Sequence, residues 1–271
     1  KRSLNLAKGL LQLNCDARIL FRNTSNSPHH HWHPFWGDIL CSQIINKKSS
    51  TLKESWLEGF KWAYHDFSPD VVICYGNNPL RWCKLIAKFC RQHRIRILGD
   101  YTEWYPFRKA PRGALMDRLF LKYGVTTFNG MIVISRFLQT IFAETNIPVI
   151  RIPAMTYDKP IITCVRSPKP NSIVTYIGKL SERDRPDALL NGFHNAIKNG
   201  FKGILRIIGK PVQSSAYNQF NNILSNRNSL KNAVQFTGFL SEQELENSMR
   251  ETDIFVLPRE KSSYADACFP T

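Results

Sequence analysis

Short apolar runs rich in β-branched and aromatic residues alternate with longer stretches whose apolar positions fall three and four apart. That alternation predicts strands and helices in turn, the signature of an α/β protein with parallel sheets. It is clearest from Ser172 to Gly209. Ile173-Val174-Thr175-Tyr176-Ile177, bounded by Pro170-Asn171 and Gly178, predicts a buried strand. A turn follows at Gly178-Lys179-Leu180-Ser181, then Asp184 ahead of Pro186, which predicts an N-cap and a first-turn proline. Leu189, Phe193, Ala196 and Ile197 recur at helical spacing, and Gly200 stands where a left-handed cap belongs. A second strand, Ile204 to Ile208, ends in Gly209-Lys210. A right-handed crossover makes the two strands parallel. Ligands of such sheets sit at the carboxyl ends of strands, where a Gly turn and a helix N-terminus can hold an anion. Gly178-Lys179 is that place, and an ordinary Gly turn is the alternative.

The same alternation runs through the rest of the chain. Leu4, Ala7, Leu10 and Leu11 predict a helix, and Ala17 to Phe21 a strand. The polar stretch Asn23 to Trp36 carries His29, His30, His31 and His33 without a cysteine or carboxylate in ligand spacing, so a solvated or substrate-lining loop is favoured over a metal site. Thr51 and Glu54 form a capping box for a helix carrying Trp56, Phe60 and Ala63, which Ser68-Pro69-Asp70 ends. Val71 to Gly76 predicts a buried strand, and Asn78-Pro79 opens a helix with Leu80, Cys83, Ile86 and Cys90 inward. After the strand Ile95 to Gly99 comes Asp100-Tyr101-Thr102-Glu103-Trp104-Tyr105, an acidic and aromatic cluster placed to touch a polar, ring-shaped ligand, or else a solvated loop with packed aromatics. Gly130 to Ser135 and Val149 to Pro153 are strands with a helix between them. Residues 154–171 hold three prolines and no periodicity, which predicts a linker. Beyond it lie a helix marked by Tyr217, Phe220, Ile223 and Leu224, a strand Val234 to Gly238, a capping box Ser241/Glu244, and a strand Asp253 to Pro258. Two α/β halves, 1–153 and 172–271, facing across a cleft, are expected.

Composition adds a partner class. The 271 residues carry a formal net charge of +16, which calls for nucleic acid, a membrane surface or a phosphorylated substrate. From Phe107 to Tyr123, Arg108, Lys109, Arg112, Arg118 and Lys122 mix with Leu115, Met116, Leu119 and Phe120. This fits an interfacial segment on an anionic membrane, or a helix packed on its own domain with a charged outer face. The seven cysteines are odd in number without a CxxC pair, so they read as buried hydrophobes in a reducing cytosol. No apolar run is long enough to span a bilayer and no signal peptide is visible. The sequence starts without Met and enters a helix without the strand a doubly wound domain places first, so an internal fragment, incomplete at both ends, is expected.

The succession YIGKL, ILRIIGK, VQFTGFLSEQEL, ETDIFVLP and CFPT resembles family 4 glycosyltransferases of the GT-B fold. GMIVISRFLQTIF with IRIPAM is similar to the run closing their first domain, and DYTEWYPF looks like a segment of bacterial surface-polysaccharide members. The resemblance implies two Rossmann-like domains and transfer of a sugar, with retention of configuration, from a nucleotide-sugar donor to a lipid-linked or glycan acceptor. It implies no metal requirement. Lys179 matches a diphosphate-contacting Arg of the family; Gly178 allows close backbone approach; Gly209 ends the next strand; Gly238, Phe239 and Leu240 match the nucleobase turn; Pro258 and Arg259 open the loop near donor sugar and phosphate. Glu103 and Lys179 are the catalytic residues expected on this basis. The chain departs from the pattern where a second diphosphate cation aligns with Asp184-Arg185, so Arg183 or Arg185 would substitute, and where the first Glu of a paired-Glu motif aligns with Ala267.

The leading expectation is a cytoplasmic glycosyltransferase, peripheral on the inner face of the plasma membrane, in surface polysaccharide assembly. A non-catalytic GT-B module is one alternative, on account of Ala267 and Asp184. A basic nucleic-acid-binding protein is another, disfavoured because Lys and Arg are dispersed rather than gathered on a reading element.

Overall fold

In a computed structural model the described residues are 2–22, 32–36, 39–44, 52–75, 82–105, 107, 110–154, 171–181, 184–209, 215–259 and 262–267. The chain divides into two compact units, Lys1–Pro160 together with Ser262–Thr271, and Ile161–Lys261. The last ten residues thus group with the first unit, whereas 172–271 was the expected extent of the second domain.

In the first unit the order is α1 (Arg2–Gln12), β1 (Arg18–Arg22), β2 (His33–Trp36), β3 (Ile39–Ile44), α2 (Leu52–Phe67), β4 (Val71–Tyr75), α3 (Trp82–Gln92), β5 (Arg96–Tyr101), α4 (Pro111–Tyr123), β6 (Gly130–Val133), α5 (Arg136–Ala143) and β7 (Val149–Arg151). Strands β4-β5-β6-β7 form one sheet, parallel throughout. A separate sheet has the order β1-β3-β2, with β1 and β3 parallel and β2 antiparallel to β3. The polar stretch was expected to be a loop as far as Trp36, yet it closes as β2. Pro34 lacks an N–H, which an edge strand with an irregular register tolerates. Residues 23–31, with three of the four clustered histidines, and Thr51 of the expected capping box lie outside the described residues.

The first core gathers much of what the periodicity placed inward, and adds Tyr101, expected in the cluster beyond a strand ending at Gly99, because β5 runs on to Tyr101. Phe60 of α2, Ile86 and Cys90 of α3, Tyr101 of β5, Phe120 of α4, Val133 of β6, and Leu138 and Phe142 of α5 are all buried together. Ser135 caps α5, its hydroxyl accepting from the Leu138 amide. β4 departs from expectation: its all-apolar run VVICY lies at a sheet edge, with Val71 45% and Tyr75 49% exposed.

The second unit runs β8 (Ser172–Ile177), α6 (Pro186–Lys198), β9 (Gly203–Ile208), α7 (Ser215–Ser225), α8 (Asn228–Lys231), β10 (Val234–Gly238), α9 (Glu242–Glu251) and β11 (Ile254–Phe255). Its sheet has the order β10-β9-β8-β11 and is parallel throughout. Gly200 has φ +90°, and the Phe201 amide reaches back to Ala196 O at 3.0 Å, so α6 ends in the predicted left-handed cap. The Ser241/Glu244 capping box on α9 is present with both reciprocal bonds. The N-cap of α6 needs correction. Pro186 disfavours helical backbone in the residue before it, so Arg185, at φ 45°, takes the cap position and not Asp184. A short helix α10 (Ser263–Ala267) packs on α5, and Ala267 is wholly buried in the first unit's core.

Candidate functional site

In the second unit three adjacent parallel strands end in glycine: Gly178 after β8, Gly209 after β9, and Gly238 closing β10. The Gly178 amide donates to Ile208 O at 3.0 Å, and the Gly209 amide to Gly238 O at 2.8 Å, so backbone ties the three turns side by side. Gly209 has φ +123°, and a Cβ there would lie 2.3 Å from Gly178 O. Only glycine fits. A Cβ on Gly178 would lie 2.3 Å from the Tyr176 hydroxyl. The result is a bare backbone shelf at the carboxyl edge of the sheet, where parallel α/β sheets bind ligands.

Charge is arranged around this shelf from two directions. Lys179 stands exposed on the turn next to Gly178, while Leu180 beside it is fully buried at φ 51° and anchors the turn. The Leu180 amide donates to the Tyr176 hydroxyl at 3.2 Å. Burial, then the nearby Asp184 carboxylate, push that phenol well above its ordinary pKa. Asp184 is buried and accepts from Ser181 Oγ at 3.0 Å and from Arg259 Nε at 3.1 Å. That ion pair fixes the loop after β11 to the turn after β8. Arg259 Nη1 is buried and, among the described residues, has no hydrogen-bond partner. A guanidinium with a buried, idle N–H is suited to donate to an oxyanion.

The expected second cation resolves differently from the sequence. Arg183 lies outside the described residues. Arg185 is held by Asp187 through two bonds of 3.0 Å, and this pairing depresses the Asp187 pKa. Asp184, a mismatch in the family pattern, is what positions Arg259. Sequence spacing could not reveal that partnership, because 75 residues separate the two. Pro258 adjoins Arg259 and is half-buried. Phe239 projects from the turn after β10 with 78% of its surface exposed, and Leu240 is half-buried beside it. An exposed aromatic at a ligand edge is a stacking platform.

In the first unit the acidic and aromatic cluster after β5 is mostly interior. Asp100 is 1% exposed and receives three bonds of 2.8–3.0 Å from the Arg2 guanidinium, which also donates to Ile152 O and Pro153 O. Burial raises the Asp100 pKa, and Arg2 opposes that shift. The Tyr101 hydroxyl donates to Asp117 Oδ1 at 2.5 Å, and the Tyr105 amide to Asp117 Oδ2 at 2.7 Å. Burial raises the Asp117 pKa, with the Tyr101 bond opposing. Asp117, on α4, therefore pins both ends of the segment 101–105. Glu103 is half-buried on that segment and accepts from the Tyr105 hydroxyl. Neither expected alternative describes it fully: Asp100 and Tyr101 are structural, and Glu103 alone of the acids in 100–105 is left at the rim.

α4 turns Ala114, Asp117 and Phe120 inward and leaves Arg112, Leu115, Lys122 and Tyr123 exposed. Arg118 lies 4.0 Å over the Phe107 ring and also donates to Ala114 O. The segment is thus a packed helix with a basic outer face; Arg108 and Lys109 lie outside the described residues. Among the described residues no helix is long and apolar enough to cross a membrane, and no group of three or more His, Cys, Asp or Glu gathers as metal ligands.

No protein-family model and no curated protein matches the chain in sequence. Solved structures do match in shape. A glycosyltransferase from Rickettsia africae superposes with TM-score 0.66 at 13% identity, covering 95% of this chain and 68% of that one. HepE of Anabaena, in complex with UDP, gives 0.61 at 13% identity, covering 90% and 75%. The apo lipopolysaccharide outer core galactosyltransferase WaaB gives 0.57 at 16% identity, covering 84% of this chain but 61% of that protein. Likeness at such identities speaks to architecture. The chain has the α/β fold of the GT-B glycosyltransferases, with parallel sheets in two units.

Proposed function

We propose that the chain acts as a retaining, family 4 type glycosyltransferase that moves a sugar from a nucleotide-sugar donor to a lipid-linked or glycan acceptor. The observation that carries this is the glycine shelf of the second unit, with Lys179 beside it and Arg259 held on Asp184. A shelf without side chains lets a diphosphate lie against backbone, and two cations balance its charge.

In the reaction, the bond from the anomeric carbon to the diphosphate breaks and the acceptor hydroxyl oxygen takes its place. The hydroxyl proton passes to the departing nucleoside diphosphate. Negative charge grows on that diphosphate, so Lys179 and Arg259 stabilise the transition state more than the ground state. Phe239 stacks on the base. Glu103 orients an acceptor hydroxyl from the first unit, its own carboxylate set by Tyr105. The chemistry needs no metal.

Surface polysaccharide assembly suits a lipid-linked acceptor and a cytoplasmic enzyme peripheral on an anionic membrane, with Arg112 and Lys122 of α4 toward the lipid. The glycosyltransferase neighbours in the fold comparison, among them a UDP complex, support a nucleotide-linked donor. A non-catalytic module is the second reading, favoured by Ala267. Buried in an apolar core, that position would desolvate a carboxylate rather than present one. Titration with UDP, GDP and their sugars tests the proposal. Saturable binding that polynucleotide does not compete supports it, and binding of polynucleotide alone refutes it.

A further inference from the structure

Tyr176, next to last in β8, is wholly buried, and its ring lies in the second unit's core with Leu189, Leu205 and Ile207. A phenylalanine would fill the same space. The hydroxyl is the part that must find polar partners, and both of those it has belong to the anion site rather than to the core. The Leu180 amide donates to it at 3.2 Å. Burial raises the phenol's pKa, and so do the charge of Asp184 and a hydrogen bond to that carboxylate, so the hydroxyl keeps its proton and directs it to Asp184. A Cβ on Gly178 would lie 2.3 Å from the same oxygen. Glycine at 178 therefore bares the shelf and makes room for the hydroxyl at once.

Each partner leads to one of the two cations. The Leu180 amide is the one that follows Lys179, and Leu180 stands at φ 51°, a left-handed conformation that is costly to a residue with a Cβ. The bond to Tyr176 and the burial of the leucine side chain hold it there, which leaves Lys179 exposed on the turn. On the other side Asp184 offers Oδ1 to Arg259 Nε at 3.1 Å and Oδ2 to Ser181 Oγ at 3.0 Å. The Asp184 amide closes back on Ser181 O at 2.9 Å, so the carboxylate is fixed from its backbone as well. We propose that Tyr176 is a positioning residue of the anion site: its hydroxyl joins the turn that presents Lys179 to the Asp184–Arg259 pair. On the reading of the shelf as a diphosphate site, one buried oxygen then holds both cations in a fixed arrangement about the diphosphate. The ring supports the fold, and the hydroxyl serves the ligand.

Tyr176→Phe tests this, since it keeps the ring and removes one oxygen. Heteronuclear NMR of the isotope-labelled chain reads the free protein. The Leu180 amide should exchange with solvent at least about tenfold faster in the variant, and the Arg259 Nε–H resonance should shift, while the amides of β9 keep their rates. Titration with UDP, GDP, uridine and guanosine reads the site. The diphosphate that the parent binds should bind the variant about fivefold or more weakly, with the affinity of its nucleoside unchanged. In an Asp184→Ala background the same substitution should cost less, because one of its two routes is already cut. Unchanged Leu180 exchange and an unmoved Arg259 resonance would overturn the proposal. So would faster exchange throughout β9, an equal loss of diphosphate and nucleoside, or an equal fold-loss in both backgrounds, each the mark of a side chain that merely supports the fold. A parent that binds neither nucleotide, in a chain whose Leu180 and Arg259 signals respond as expected, would strike the proposed function and leave the hydroxyl's hold on both cations standing.

Discussion

Lys179 and Arg259 reach the same sheet edge by different means. Lys179 is legible in the sequence, since a Gly-Lys pair after a buried strand marks the carboxyl end of that strand. Arg259 was expected from resemblance alone, and its partner Asp184 was expected to be a helix cap. The Asp184–Arg259 pair is 75 residues apart in sequence and depends on β11 pairing with β8. Local pattern carries no trace of such a contact. Lys179→Ala should weaken nucleoside diphosphate binding by about 1.5–3 kcal/mol, the loss of one charge-assisted contact. Arg259→Lys tests geometry at constant charge. A lysine can pair with Asp184, but it cannot at the same time offer a second planar donor. Calorimetric titration of the two variants should show weaker binding in both, at unchanged melting temperature for Lys179→Ala.

Helices and strands were the most readable part of the chain, because each carries its own period. α6, its glycine cap and the capping box of α9 follow directly from residue spacing. β2 and β3 were not anticipated, since HPFW is short and polar-flanked and becomes a strand only by pairing. The start of α1 depends on a tertiary contact too. The Arg2 and Asp100 side chains are 10% and 0% exposed, so removing one partner of this buried pair should cost about 3–5 kcal/mol. Arg2→Met tests it, with a definite sign against pH. Burial already holds the Asp100 pKa above its unfolded value, and losing Arg2 raises it further. Within that window the folded state binds more protons than the unfolded one, so stability falls as pH rises from the ordinary carboxylate range through the raised folded value. The melting-temperature gap between variant and parent should therefore be widest near neutral pH and narrow in acid. A gap independent of pH would mean that packing, not the charge pair, holds α1.

At the scale of the whole molecule the net charge of +16 was visible at once, but its distribution was not. Some of that charge is spent internally: Arg2, Arg185, Arg206 and Arg259 pair with Asp100, Asp187, Glu251 and Asp184. Arg112 and Lys122 on the outer face of α4 remain available to an anionic surface. Each basic residue near such a surface adds about 1 kcal/mol. Changing Arg108, Lys109, Arg112 and Lys122 to Glu should release the protein from anionic vesicles at low salt and leave nucleotide affinity intact. Equal sedimentation of variant and parent with the vesicles would remove α4 from any membrane contact.

Everything proposed for this chain turns on the second unit's glycine shelf binding a nucleoside diphosphate. Isothermal titration of the chain with UDP and GDP, in the presence and absence of polynucleotide, tests it most directly. Saturable binding of at least one of them is expected, indifferent to polynucleotide and weakened about tenfold or more in Lys179→Ala and Arg259→Lys. Absence of binding by both nucleotides, or binding untouched by either substitution, would contradict it.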